Sequence, residues 1–311
     1  PKHKSHRYSK MITQYFIPEI FKHFHEDGSL FNSFLKPYSD VNAPAFFYST
    51  QCMEHIMLHH KGPAVMIVNN DIRPIQNNLE WVKNRKDFYF ISTSKIMSVY
   101  LDNLGLKYVE FPWSVSSMEK ITPHHKGNSV YFYTSCGKSD NLYGYHILPR
   151  LMKDNFPHLN VIYARYNPSL FPFVHYTKDQ LKEVYKKVFV AVRLTRFDGL
   201  SDTVQALGMR GVKTIWNGGT PSALSYTSEQ DIINHIRNEE KTIGQIDTSL
   251  SKQCKQYLNP TNLEYQYVFD LSTYSENKPT PKLFHNDKPL QFNDFRKVLE
   301  NRFDMNQPLT I

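Results

Sequence analysis

The chain has 311 residues, enough for two domains of roughly 100–200 residues each. Hydrophobic residues make up 40 % of it, with 21 Phe and 20 Tyr, which is ample for buried cores, and no run of about 18 apolar residues is present to span a membrane. Lys and Arg outnumber Asp and Glu by 37 to 29, and the net charge of +8 reads either as a face for anionic ligands or as ordinary solubility charge.

Cys52, Cys136 and Cys254 are scattered and odd in number, with neither metal spacing nor a disulfide framework. That points to a reducing, cytoplasmic setting. The 14 histidines include no His-Glu-x-x-His and no paired ligand spacing, so no metal site is expected. No interleaved basic and aromatic motif supports nucleic acid as a partner. The start carries no charged-then-apolar leader. Residues 1–10 read as a basic tail or linker, and a chain beginning at Pro1 is expected to be a processed product or part of a longer one.

In chain order, Met11 to Ile17 predicts a first strand, ending before Pro18. Glu19 to His25 predicts a short helix, and Asp27-Gly28 through Pro44 a loop with turns. Ala45 to Ser49 is a strand. Gln51 to His60 has helical spacing, broken by Gly62-Pro63; His59-His60 is expected at the surface of that helix end. Ala64 to Val68 is a buried strand running into Asn69-Asn70-Asp71, where Asn70-Asp71 reads as a turn or cap, or as a general base or acceptor contact. Ile75 to Arg85 predicts a helix and Asp87 to Thr93 a strand. Ser94 caps Lys95 to Leu104, Gly105 closes it, and Lys107 to Phe111 is the last strand of this half before Pro112-Trp113. Such alternation predicts a parallel sheet with helices on both faces. Ser114 to Asn128 reads as an inter-domain linker.

The second half repeats the theme. Ser129 to Ser135 is a strand, Cys136 to Asn141 a polar turn, and Tyr143 to Asn155 a helix. Val161 to Tyr166 is a strand, and Thr177 caps a helix from Lys178 to Lys187. A βαβ unit follows: strand Val188 to Leu194, turn Phe197 to Leu200, a helix capped by Ser201 or Asp202 and running to Met209, a stop at Gly211, and strand Val212 to Trp216. Ser228 caps Glu229 to Glu240. Thr248 to Leu258 predicts a helix, Tyr265 to Asp270 a strand or extended crossing, Ser275 to Pro289 a loop, and Phe292 to Phe303 a last helix.

In a parallel sheet the turns after the strands open on one side. Gly137, Lys138 and Ser139 follow one strand, Arg165 ends the next, and Arg193, Arg196, Asp198, Gly199, Leu200 and Ser201 lie at a third. Backbone amides at a helix start attract phosphate, and arginine adds bidentate contacts to its oxygens. A diphosphate suits that set without a metal. Gln205, roughly two turns into the helix, can donate to and accept from a ribose diol. The plain alternatives stand beside these: Gly137 and Gly199 as turn residues, Ser201 and Thr203 as caps, Lys138, Arg193 and Arg196 as surface charge.

The stretch Asp198-Gly199-Leu200-Ser201-x-Thr203-Val204-Gln205-Ala206-Leu207-Gly208-x-x-Gly211-Val212 resembles the signature of the family-four glycosyltransferases. The usual form there is Glu-Gly-(Phe or Leu)-(Gly or Ser)-x-(Thr or Pro)-x-x-Glu-Ala-x-x-x-Gly-x-Pro-Val. Tyr131 to Gly137 followed by Tyr143-Gly144 is similar to that family's strand, glycine turn and helix start. Ser92-Thr93-Ser94 with Tyr108 to Trp113 is similar to the end of its first domain. The likeness covers about residues 87–245.

The resemblance implies a GT-B fold: α/β, with two Rossmann-like domains whose parallel sheets face across a cleft. Their bounds here are 11–120 on the acceptor side and 121–290 on the nucleotide-sugar side, with 291–311 as a C-terminal helix crossing back. It implies a retaining, metal-independent transferase that moves a sugar from a nucleotide-diphosphate sugar to a glycan, glycoprotein, lipid-linked or other hydroxyl acceptor. Asp198 would meet the transferred sugar, Gln205 the ribose, and Gly199, Leu200, Ser201 and nearby cations the diphosphate. The donor is a substrate, and no further cofactor is implied. Both signature glutamates differ here, as Asp198 and Gln205, and Tyr143 stands where the family usually has a phosphate-binding lysine. A catalytically inactive binding or scaffold module of the same fold is therefore the second reading. Peripheral membrane contact through the basic surface is a further expectation.

Overall fold

The computed structural model describes residues 11–18, 35–69, 71–112, 121–134, 143–145, 147–165, 174–195, 198–258, 268–271 and 274. Several expectations lie outside these residues: the tail 1–10, the helix 19–25, Asn70, the turn around Gly137 and Lys138, Arg196, and the loop and helix after 275.

The chain divides into two compact units. In the first, six strands form one sheet: β1 (Gln14–Phe16), β2 (Lys36–Pro37), β3 (Ala45–Phe47), β4 (Ala64–Val68), β5 (Phe88–Ser92) and β6 (Tyr108–Glu110). The helices are α1 (Met53–His59), α2 (Arg73–Asn77), α3 (Leu79–Asn84) and α4 (Lys95–Asn103). All pairings are parallel, in the order β2-β1-β3-β4-β5-β6. The strands are apolar on both faces because helices must cover both. One face buries Phe46, Val65, Ile67 and Ile91. Phe47, Met66 and Phe90, which alternate with them, are equally buried.

The expected helix over 75–85 is two short helices, broken at Asn78, whose side-chain amide donates to the Pro74 carbonyl at 2.8 Å. A side chain that competes for a backbone carbonyl in this way favours an end over an interior. β2 was expected as loop; it is two residues held to β1 on the sheet edge. His60 was expected at the surface. It is buried, with Nδ1 3.1 Å from the Tyr38 hydroxyl and Nε2 3.1 Å from the Pro63 carbonyl.

The second domain was expected to run on to 290, yet residues 268–271 and 274 belong to the first unit. Asp270 bridges Met11 in antiparallel sense, and Val268, Phe269 and Tyr274 join the first unit's core. Their apolar side chains find cover there, with Phe269 edge-on to Phe46 at 5.9 Å.

The second unit holds β7 (Ser129–Thr134), α5 (Leu148–Asn155), β8 (Asn160–Arg165), α6 (Lys178–Tyr185), β9 (Val188–Val192), α7 (Asp202–Gly208), β10 (Lys213–Ile215), β11 (Ala223–Leu224), α8 (Glu229–Glu240) and α9 (Thr248–Tyr257). Its sheet is again all parallel, in the order β11-β10-β9-β7-β8. α5 and α8 cover one face through Leu148, Leu151, Ile232 and Ile236. α6 and α7 cover the other through Val184, Tyr185 and Leu207. Thr177 and Ser228 cap α6 and α8 with reciprocal capping boxes, as the residue types predict.

Residues 121–128 are no free linker. Lys126 is buried and its ammonium donates to Glu239 at 3.1 Å and to Thr242 at 3.0 Å. Lys213 reaches the other oxygen of Glu239 at 2.8 Å. Gly127 lies so close to Lys187 that a Cβ there would stand 2.1 Å from its backbone. No helix among the described residues is long and apolar enough to cross a membrane.

Candidate functional site

Strand order locates the ligand crevice of an open parallel sheet. It lies at the carboxyl ends of the strands, where the order reverses. In the second unit the chain goes from β7 to β8 on one side and then to β9 on the other, so the reversal falls between β7 and β9. The residues that leave these two strands therefore stand at that reversal.

Arg193 follows β9 directly, and its N–H donates to the Ile215 carbonyl at 3.0 Å, extending the pairing with β10. Its guanidinium forms a two-point ion pair with Asp198. Nη2 donates to Oδ1 at 3.0 Å, and Nε donates to Oδ2. Both residues are buried, at 7 % and 6 % exposed. Burial works to lower the arginine's proton affinity, and the Asp198 carboxylate more than offsets it, so the guanidinium stays charged. Burial likewise pushes the Asp198 carboxyl upward, against the pull of Arg193. Each charge is tolerable inside the fold because the other is there.

Two tyrosines complete the setting. The Arg193 guanidinium carbon lies 5.0 Å from the ring centre of Tyr133, near the end of β7, and 5.3 Å from that of Tyr143. Both distances are within cation–π range. The rings meet edge to face at 6.1 Å. Gly144 explains why Tyr143 comes so near. It sits at φ +76, and a Cβ there would be 2.6 Å from the Leu194 side chain. Only glycine lets the segment before α5 close onto the segment after β9. It also explains why α5 begins at Leu148 when a helix from Tyr143 was expected.

Gly199 is buried, while Leu200 and Ser201 are half-buried. Ser201 occupies the N-cap of α7, with no side-chain cap bond among the described residues. The half-buried Thr203 side chain lies beside that of Tyr185, so it faces α6 and the sheet. Gln205 is buried, and its Nε2 donates to the Leu200 carbonyl at 2.8 Å, tying α7 back to the turn. Arg165 ends β8, but its side chain lies outside the described residues, as do Gly137, Lys138 and Arg196. In the first unit Asp71 accepts from the Arg73 backbone N–H at 3.0 Å and from its guanidinium, which makes it a turn partner.

The arrangement thus brings Arg193 and Asp198 together and adds Tyr133, which sequence reasoning missed as a site residue, and the ring of Tyr143. The only hint in the sequence was two aromatics flanking the turn after a predicted strand. What the assembly offers chemically is a preorganised planar cation, fixed on one edge by a carboxylate and covered by aromatic faces.

No family model matches the chain, and no curated protein matches it. Among solved structures it is similar to a sucrose-phosphate synthase from Thermosynechococcus elongatus, at 11 % identity and TM-score 0.52, over 78 % of this chain and 76 % of that one. It also aligns with TarM at 7 % identity and TM-score 0.49, over 70 % of this chain and 53 % of that one. A UDP-forming α,α-trehalose-phosphate synthase from Burkholderia vietnamiensis aligns at 8 % identity and TM-score 0.44, over 85 % and 74 %. The likeness to the sucrose-phosphate synthase shows the fold: α/β, with two parallel-sheet units of the GT-B type.

Proposed function

We propose that the chain is a glycosyltransferase of the family-four kind. It moves a sugar from a nucleotide-diphosphate sugar to a glycan or other hydroxyl acceptor, with retention and without a metal ion. One observation carries this reading: the buried Arg193–Asp198 pair at the reversal point between β7 and β9, at the head of the turn that leads into α7. The GT-B-type fold supports it.

In the reaction, the bond from the anomeric carbon to the diphosphate oxygen breaks and one to the acceptor oxygen forms on the same face. The acceptor's proton passes to the departing diphosphate. Negative charge grows on that leaving group, and a cation already in place stabilises it without reorganisation. Arg193 serves as that cation, with the amides of Gly199 to Ser201 beside it. Asp198 is the carboxylate that meets the transferred sugar. Gln205 lies at the ribose.

The second reading is an inactive binding module. It is favoured by Asp198 having both oxygens engaged by Arg193, and by the Gln205 amide donating within its own turn. Incubation with UDP-, GDP-, ADP- and dTDP-glucose in EDTA, followed by proton NMR, separates the two. Consumption of one donor, with the anomeric configuration kept in the product, supports the transferase. Binding of a donor without any consumption supports the module, and binding of none overturns both.

A further inference from the structure

A guanidinium is a specific ligand for phosphate only when its plane is held. Arg193 is held on three sides. Asp198 takes Nε and Nη2, so the long edge of the fork is committed inward. The faces of Tyr133 and Tyr143 lie 5.0 and 5.3 Å from the guanidinium carbon, and their edge-to-face contact fixes each against the other. Both tyrosines are half-buried, whereas the pair they cover is buried, so they form its outer wall. Nη1 takes no part in the pair with Asp198.

We propose that Tyr133 and Tyr143 are positioning residues that hold the Arg193 guanidinium so that its Nη1 edge binds the diphosphate of a nucleoside-diphosphate ligand. The inference rests on the donor site proposed above and deepens it. It separates a diphosphate-reading element, built from β7, the segment before α5 and the turn after β9, from whatever reads the nucleoside. Tyr143 contributes through its ring face, which phenylalanine retains. Its neighbour Gly144 is part of the device, because any side chain there would push Tyr143 away from Arg193. A half-buried aromatic wall also lowers the local dielectric, which strengthens the contact between one cation and one phosphate oxygen.

The experiment is calorimetric titration of the full chain with UDP, GDP, ADP and dTDP, each beside its own nucleoside. For the diphosphate that binds, Tyr143→Phe keeps the affinity within about twofold, and Tyr143→Leu loses about tenfold. Arg193→Lys, which keeps the charge and loses the planar edge, loses at least as much. The affinity for the nucleoside alone stays as in the parent for all three. A thermal melt confirms that each variant is folded, and Tyr133→Leu provides an independent copy of the test. Equal diphosphate affinity in Tyr143→Leu, Tyr133→Leu and the parent overturns the inference and leaves the donor site standing. A parallel loss for diphosphate and nucleoside also overturns it, since the tyrosines are then merely structural. Binding of none of the four diphosphates by the parent overturns the donor site itself.

Discussion

The two units use one strand plan and put different chemistry at its reversal point. Each sheet is all parallel, and each reverses between its first and third strands, β1 and β3 in one unit, β7 and β9 in the other. In the first unit the described residues there are apolar or neutral. Phe16 ends β1, Phe47 ends β3, and Ser49 caps the 3-10 turn that leads into α1. His55 stacks on Phe16 at 4.4 Å, and His60 contacts Tyr38 and Phe47. In the second unit the same place holds a buried ion pair walled by tyrosines. Burying two charges is expensive, and a hydrophobic pair of similar volume would stabilise the fold at least as well. The scaffold is thus shared, and the costly feature lies in the unit proposed to hold the donor site.

Breaking that pair has the largest expected effect. Asp198→Ala leaves Arg193 buried and uncompensated, at a cost of about 3–5 kcal/mol. Hydrogen exchange should show lost protection in β7, β9 and β10 and little change in β3 to β5. Combining Asp198→Ala with Arg193→Met should recover most of the loss. If Asp198→Ala is as stable as the parent, the pair is not what holds the turn.

Gly144→Ala comes next. It forces a Cβ into Leu194 at a left-handed backbone position, and overpacking of this kind costs about 1–3 kcal/mol. Diphosphate affinity should fall with it, because Tyr143 moves. An unchanged melting temperature would mean that the segment before α5 is not clamped to the turn after β9.

The first unit should be the more acid-sensitive. Burial holds the imidazoles of His55 and His60 below their ordinary value of 6.5, with the neighbouring His59 adding to the effect at His55. At His60 the Pro63 carbonyl and Asp87 oppose burial, while Arg85 and His55 act with it. Folded chains therefore keep these rings neutral, and unfolded chains take up protons that folded ones refuse. The stability they contribute is whole above about pH 6.5 and falls as the pH drops below it. In the second unit His124 is held low by burial in the same sense, one ring against two among the described residues. Melting curves from about pH 7.5 to about pH 5 should flatten in His60→Gln, and an unaltered pH dependence would remove this contrast between the units.

The smallest effects concern caps. Ser228→Ala breaks a capping box and should cost about 1 kcal/mol. Ser201→Ala, with no cap bond to lose, should stay within about 0.5 kcal/mol. A fall in diphosphate affinity for Ser201→Ala alone would assign that hydroxyl to the ligand.

Much of the fold was legible because its signals are local. Runs of branched apolar residues made β4 and β9 plain as buried strands, and Ser94, Thr177 and Ser228 announced their helices through side chains that bond the first turn. What was not legible depends on partners far along the chain. β2 and β11 are two residues each and exist only as neighbours of β1 and β10. The start of α5 is set by Leu194, which lies beyond β8, α6 and β9 in the sequence. At the site, the resemblance selected Asp198 and Gln205 but could not pair Asp198 with Arg193. Five residues apart in a turn match no helix or strand period, so only the folded turn shows that the two charges meet.

The most direct test of the central claim is hydrogen exchange on the full chain, with and without saturating UDP, GDP, ADP or dTDP in EDTA. The account predicts that one of them protects the end of β7, residues 143–145 and residues 193–205. Protection confined to the first unit, or protection by none of the four, would contradict it.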